Sequence, residues 1–288
     1  MAPPNPVHGL VTPIEPERPA RVNGAPRAVA ASEASYPVAA GRLLAAVASS
    51  CGPHHQVNED THSDLAGSGR LFVVADGVGG GAMAQLASRL LVTHLHEALA
   101  AARPDADAVA EAMLAADRVI AAAIARVTMN PGAATVALCA ALDATAANWL
   151  VAWVGDCRVY RWSPLAAHLE CLTRDDSFGQ LGEAPPPGGS ADDPARMVGN
   201  GATDGANCAV HTLAHRELLA VCSDGIHKHL DGADWRRLLT EPRPLSQRCQ
   251  ALVARARANG SGDDATLLLI ERQVRERQRS SVGQRSPS

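Results

Sequence analysis

Acidic residues recur beside glycine in this chain, at Asp76-Gly77, Gly155-Asp156, Asp224-Gly225 and Gly262-Asp263. Each pair borders an apolar run that must be buried: RLFVVA over 70–75, WLVAWV over 149–154, ELLAVC over 217–222 and ATLLLI over 265–270. A carboxylate at such a strand end loses solvation, which is costly unless positive charge compensates it. The sequence offers no matching set of buried Lys or Arg, and Lys228 is its single lysine. A divalent cation resolves the imbalance. Ligands made only of oxygen suit Mg²⁺ or Mn²⁺ rather than Zn²⁺. Asn58-Glu59-Asp60 adds two further carboxylates just after the first apolar run, and the adjacent glycines let the backbone turn and let a carbonyl approach an ion. One Asp-Gly is ordinarily a turn. Four at the ends of apolar runs specify an acidic metal site and nothing finer.

The elements that must position these residues follow from periodicity. Gly41 to Ser50 and Arg70 to Ala75 read as buried strands. Ala82 to Ala102 carries Leu86, Leu90, Leu91 and Leu95 at helical spacing, and the Ala-rich stretch Asp105 to Val127 favours a second helix. Ala134 to Leu142, Trp149 to Val154, Arg158 to Trp162 and His168 to Leu172 are short apolar runs with tight connections, as in antiparallel strands. PPPGG over 185–189 and the Gly-rich stretch 199–205 mark an irregular insert. Glu217 to Cys222 and Ala265 to Ile270 are strands, with helices over Trp235 to Leu239 and Ser246 to Ala258 between them. The helix between two apolar strands fits a parallel α/β sheet as well as any other arrangement. Residues 1–36, rich in Pro and Ala, predict a disordered leader, and 272–288 a basic tail. The domain lies between them, over 37–271.

Composition removes several function classes. A net charge of -4 and a pI near 6.2 argue against nucleic-acid binding. No apolar run reaches the roughly 20 residues of a membrane span. The seven cysteines, Cys51, Cys139, Cys157, Cys171, Cys208, Cys222 and Cys249, are odd in number and widely spaced. They predict buried small side chains in a reducing cytoplasm, not disulfides or a zinc site.

Taken in order, these segments resemble the metal-dependent protein phosphatase family, the type 2C serine/threonine phosphatases, in its bacterial form. The matching stretches are VNED over 57–60, FVVADGVGG over 72–80, GAAT over 132–135, VGDCRVY over 154–160, Leu172-Thr173, LAVCSDGI over 219–226 and GDDATL over 262–267. The resemblance implies an α+β fold: a central antiparallel β-sandwich flanked by helix pairs, four layers in the order αββα, with metals at one end of the sandwich. It implies two ions, Mn²⁺ or Mg²⁺, held by Glu59, Asp60, Asp76, Gly77, Asp224 and Asp263. Within that set Asp76 bridges the ions, the Gly77 carbonyl and Glu59 serve one of them, Asp224 and Asp263 hold the other, and Asp60 acts through metal-bound water. Asp156 matches the place of a third, weaker ion. The implied nucleophile is metal-bound water, and the implied substrate is a phosphoprotein made by a bacterial serine/threonine kinase. A monomer is the default expectation.

The chain departs from the family at several positions. His55 stands four residues before Glu59, where the family has a phosphate-clamping arginine. Histidine offers no bidentate fork, so weaker phosphate binding is expected there. Val78 stands where some members have a histidine proposed as general acid, and no catalytic side chain is assigned in its place. Cys157 replaces a serine, and Asp264 replaces an asparagine, adding a carboxylate expected to alter metal affinity. The insert over about 173–215 corresponds to a flap beside the substrate cleft. Loss of the arginine supports an alternative reading, a catalytically weak member that binds phosphoproteins or regulates; retention of the acidic set opposes it.

Overall fold

The central strands are apolar at nearly every position, as in AATVALCAA, NWLVAWV and LLAVC, and since successive side chains point to opposite faces, each strand must be covered on both. The computed structural model describes residues 29–67, 69–99, 104–129 and 132–274. In chain order they form β1 (Ala30–Val38), β2 (Gly41–Ser50), β3 (Thr61–His62), β4 (Leu71–Val78), α1 (Ala82–Leu99), α2 (Ala106–Ala125), β5 (Ala133–Ala141) and β6 (Asn148–Val154). There follow β7 (Arg158–Ser163), β8 (His168–Cys171), α3 (Phe178–Leu181), β9 (Asn207–Thr212), β10 (Leu218–Cys222), α4 (Asp224–His227), α5 (Gly232–Thr240), α6 (Leu245–Ala258) and β11 (Ala265–Val274). One sheet has the order β1-β2-β11-β10-β7-β8, the other β3-β4-β5-β6-β9, and every pairing is antiparallel.

The two sheets pack face to face. Phe72 and Val74 of β4, Trp149 and Val151 of β6, Val47 of β2, and Leu268 and Ile270 of β11 meet in the central layer. The intervening residues point outward. Val73 and Ala75 pack with Leu91, Leu95, Met113 and Ile120 of α1 and α2. On the other side Ala46, Leu267 and Leu269 pack with Trp235, Leu238, Leu252 and Val253 of α5 and α6. The result is the expected four-layer αββα sandwich, and the parallel α/β alternative is excluded. Ala, Val and Leu supply most of this core, with Trp149, Trp162, Trp235 and Phe72 as its largest fully buried members.

Two boundaries move. β1 begins at Ala30, inside the stretch expected to be a leader, because it completes the sheet edge against β2 over nine residue pairs. β11 runs on to Val274, past the expected end at 271, because β2 is long enough to pair with all of it. α1 is described to Leu99. The remainder of the expected leader (1–28) and tail (275–288), and residues 100–103, lie outside the described residues. The insert is less irregular than expected: it contains α3, and β9 pairs with β6.

Candidate metal centre

The sheet register brings the acidic residues to one end of the sandwich. Asp76 lies near the end of β4, opposite Thr135 at the start of β5. Asp156 sits in the turn from β6 to β7, and Asp224 just beyond β10, whose last residue Cys222 pairs with Arg158 and Leu267. Asp263 precedes β11, whose first residue Ala265 faces Ser50 at the end of β2. Two glycines are required here by close approach. A Cβ on Gly77 would lie 2.3 Å from the Ala84 carbonyl oxygen, and one on Gly225 would lie 2.0 Å from that of Asp264. The Asp-Gly pairs thus let backbone segments pack against each other directly behind the carboxylates.

Electrostatics inside the cluster are unbalanced. Asp60 is buried; its Oδ2 accepts a 2.7 Å hydrogen bond from Ser223 Oγ, while its Oδ1 has no hydrogen-bond partner. Burial pushes its pKa up to about 8 against the pull of the Ser223 and Thr266 hydroxyls, and the charges of Asp264 and Asp224 add to the rise. Asp76 is raised well above the carboxylate range, first by burial and then by Asp60, Asp224, Asp156 and Asp263. Burial, then Asp224, also raises Asp263. Asp156 rises to about 6 by burial and Asp224, with Lys228 opposing. Asp224 keeps one buried oxygen, Oδ1, unpartnered. Mutually repelling buried carboxylates with open lone pairs are a donor set suited to hard divalent cations.

Glu59 is fixed on three sides. Its Oε1 accepts the Gly81 amide at 2.5 Å, ahead of α1. Its carbonyl accepts from Gly77 N at 3.2 Å and Ser88 Oγ at 2.6 Å. Its amide donates to Asp264 Oδ2 at 2.6 Å. Asp264 also accepts the Gly52 amide through Oδ1 at 2.6 Å. The extra carboxylate expected to alter metal affinity is therefore a clasp, joining the β11 approach to the loop that carries Glu59. His55 Nδ1 stands 3.1 Å from Asp264 Oδ2 and 4.0 Å from Asp263 Oδ1. Contact with Asp264 raises its pKa, with burial opposing. Among the described residues, His55, Asp263 and Asp264 place ligand-type atoms within 4.8 Å of one another.

Several positioning residues escaped the sequence reading. Ser223 ties Asp60 to β11 by accepting the Thr266 amide at 3.0 Å. Buried His227 is held neutral, its pKa lowered to about 4 by burial and by Arg158, and its Nε2 donates to the Asp156 carbonyl at 2.9 Å. Lys228 Nζ contacts Asp224 Oδ2 at 2.8 Å and Asp156 Oδ2 at 3.3 Å. Arg257 gathers the carbonyls of Ser50, Ser261 and Asp263. From the insert, Asp176 Oδ2 accepts the Gly155 amide at 3.0 Å and so braces the turn bearing Asp156. Only Lys228 carried a readable signal, being one helical turn from Asp224. Cys157 is buried with its Sγ 3.3 Å from Thr135 Oγ1, and burial raises its thiol pKa well above the ordinary value, so it is no nucleophile. None of the seven cysteines is in a disulfide. Among the described residues, no helix is long and apolar enough to cross a membrane.

Known proteins share this fold. The sequence model of the family described as Protein phosphatase 2C matches residues 50–261. PppA of Pseudomonas aeruginosa, described as a key regulatory component of T6SS, superposes with a TM-score of 0.67 at 26% identity, covering 85% of this chain and 100% of its own. MsPP, a PPM Ser-Thr phosphatase from Mycobacterium smegmatis solved with cacodylate, gives a TM-score of 0.64 at 26% identity over 78% of this chain and 97% of its own. The catalytic domain of the serine/threonine phosphatase PstP, solved with 2 manganese ions, shares the fold at a TM-score of 0.67 and 22% identity, over 80% and 97%. No curated protein sequence matches this chain. The family match, which spans most of the chain, together with the αββα sandwich and its acidic end, places the chain in the protein phosphatase 2C family of metal-dependent serine/threonine phosphatases.

Proposed function

We propose that this chain removes phosphate from serine and threonine side chains of proteins phosphorylated by a bacterial kinase, acting as a monomer in the cytoplasm. Glu59, Asp60, Asp76, the Gly77 carbonyl, Asp224 and Asp263 hold two ions, Mn²⁺ or Mg²⁺. The observation that carries this reading is the set of buried, mutually repelling carboxylates with unpartnered oxygens on Asp60 and Asp224. Divalent ions there would supply a water acidified to near neutral pH and would offset the charge of the phosphoryl oxygens. Asp76 lies among the other four aspartates, which suits a bridging role. Ser223 fixes the orientation of Asp60, and the Gly81 amide that of Glu59. His55, at the edge of this cluster, serves as the single donor toward the substrate phosphate, with Asp264 holding the ring.

The contact between His55 and the acidic pair also favours the second reading, a weak member that binds phosphoproteins with little turnover. Steady-state kinetics on a phosphothreonine peptide and on p-nitrophenyl phosphate separate the choices. The proposal predicts kcat/KM at least about tenfold higher for the peptide, and His55→Ala raising KM more than it lowers kcat. Equal or better turnover of the small ester would redirect the assignment to small phosphate esters. Peptide binding without turnover would favour the regulatory reading.

A further inference from the structure

We infer that Lys228 is an internal cation for the Asp156–Asp224 pair and excludes a further metal ion from it. The inference rests on the two-ion reading above. Lys228 is the only lysine in the chain, and it directly follows α4. It stands one helical turn beyond Asp224, so its stem returns along the same face. Its Nζ bridges two carboxylates from separate segments: Asp224 Oδ2 at 2.8 Å, beyond β10, and Asp156 Oδ2 at 3.3 Å, in the turn after β6. Asp156 is only 4% exposed, and His227 anchors its carbonyl, so its backbone is tied in place beneath the ammonium.

A divalent ion using the same two oxygens would need contacts of about 2.1 Å. Those oxygens already face an ammonium at hydrogen-bond distance, and a dication there would sit against its positive charge. The lysine must leave before an ion can enter. The ammonium also lowers the negative charge that would attract a third ion, while Asp224 Oδ1 stays without a hydrogen-bond partner. The third ion expected at Asp156 is thus replaced by a side chain, and the centre closes at two.

Equilibrium dialysis against Mn²⁺ and isothermal titration calorimetry count the ions without reference to turnover. The full-length chain is compared with Lys228→Met, Lys228→Arg and the double variant Lys228→Met/Asp156→Asn, each checked for folding by circular dichroism. The inference predicts one ion more per chain in Lys228→Met than in the wild type. It predicts no gain in Lys228→Arg, which keeps the charge, and return to the wild-type count in the double variant. Two ions in both wild type and folded Lys228→Met would overturn this inference alone. So would three in the wild type. A wild-type chain that binds no Mn²⁺ would overturn the two-ion reading and this inference with it. Should Lys228→Met fail to fold, Lys228→Gln, which retains a polar stem, takes its place under the same criteria.

Discussion

Asp264 commits both carboxylate oxygens to backbone amides, of Gly52 and Glu59, at 2.6 Å each. Truncating it leaves two buried donors unsatisfied, at about 1–3 kcal/mol apiece. Asp264→Ala should therefore lower unfolding stability by about 2–6 kcal/mol in urea, and an unchanged midpoint would refute the clasp. Asp143 makes a comparable local knot in the β5–β6 connection, accepting the amides of Thr145 and Asn148 at 2.8 Å. Burial pushes its pKa up, but the Thr145 hydroxyl and the Asn148, Thr145 and Ala147 amides outweigh that and hold it at about 2, below the ordinary 3.8. A depressed carboxyl pKa stabilises the fold above the unfolded value and loses that stabilisation as protons bind. Its contribution is full above about pH 4 and disappears as pH falls from there through about 2. Asp143→Asn should destabilise the chain at pH 7 and match the wild type more closely near pH 2. Parallel stability curves over that range would contradict the assignment.

At the scale of elements, strand β1 is the part least foreseen. Tyr36 packs its ring edge-on against Phe72 with centroids 5.9 Å apart, and Ala34 and Val38 join the central layer. Deleting residues 1–38 uncovers the β2 edge and should cost about 3 kcal/mol by lost apolar burial; urea unfolding of the truncated chain at the wild-type midpoint would show β1 to be dispensable. β1 was hidden because AASEASYPV mixes small and polar residues and carries Pro37, which an edge strand tolerates. β9 was hidden for a related reason, since NCAVHT lies at the other sheet's edge with only partial burial. The central strands were legible as short continuous apolar runs, buried on both faces, and the long helices through the 3.6-residue spacing of their buried sides. Likewise the acidic residues announced themselves beside glycines. Their supports did not: Asp264 reaching Gly52, Ser223 reaching Asp60 and Asp176 reaching Gly155 are meetings across 212, 163 and 21 positions that no local pattern encodes.

For the molecule as a whole, the buried negative charge at one end of the sandwich is a stability cost in the absence of metal. Mn²⁺ that binds only the folded state stabilises it by about 2.7 kcal/mol at one hundred times its Kd. For a chain of this size that is a rise in Tm of roughly 5–10 °C. Asp76→Asn removes the carboxyl whose ionised form burial and the neighbouring aspartates disfavour, so folding no longer has to protonate it; in EDTA the variant should melt above the wild type, and it should lose most of the Mn²⁺-induced rise. Thermal melts with and without Mn²⁺ read both effects; a variant that melts lower in EDTA and keeps the full rise would place the repulsion elsewhere. The central claim is that this acidic end performs metal-dependent phosphate hydrolysis. Its most direct test is phosphate release from a phosphothreonine peptide by the purified chain with Mn²⁺, with Mg²⁺ and with EDTA, beside Asp224→Asn. The account predicts turnover with at least one metal, abolished by EDTA and reduced at least about 100-fold in Asp224→Asn. Turnover that persists in EDTA, or a folded wild-type chain inert with both metals, would contradict it.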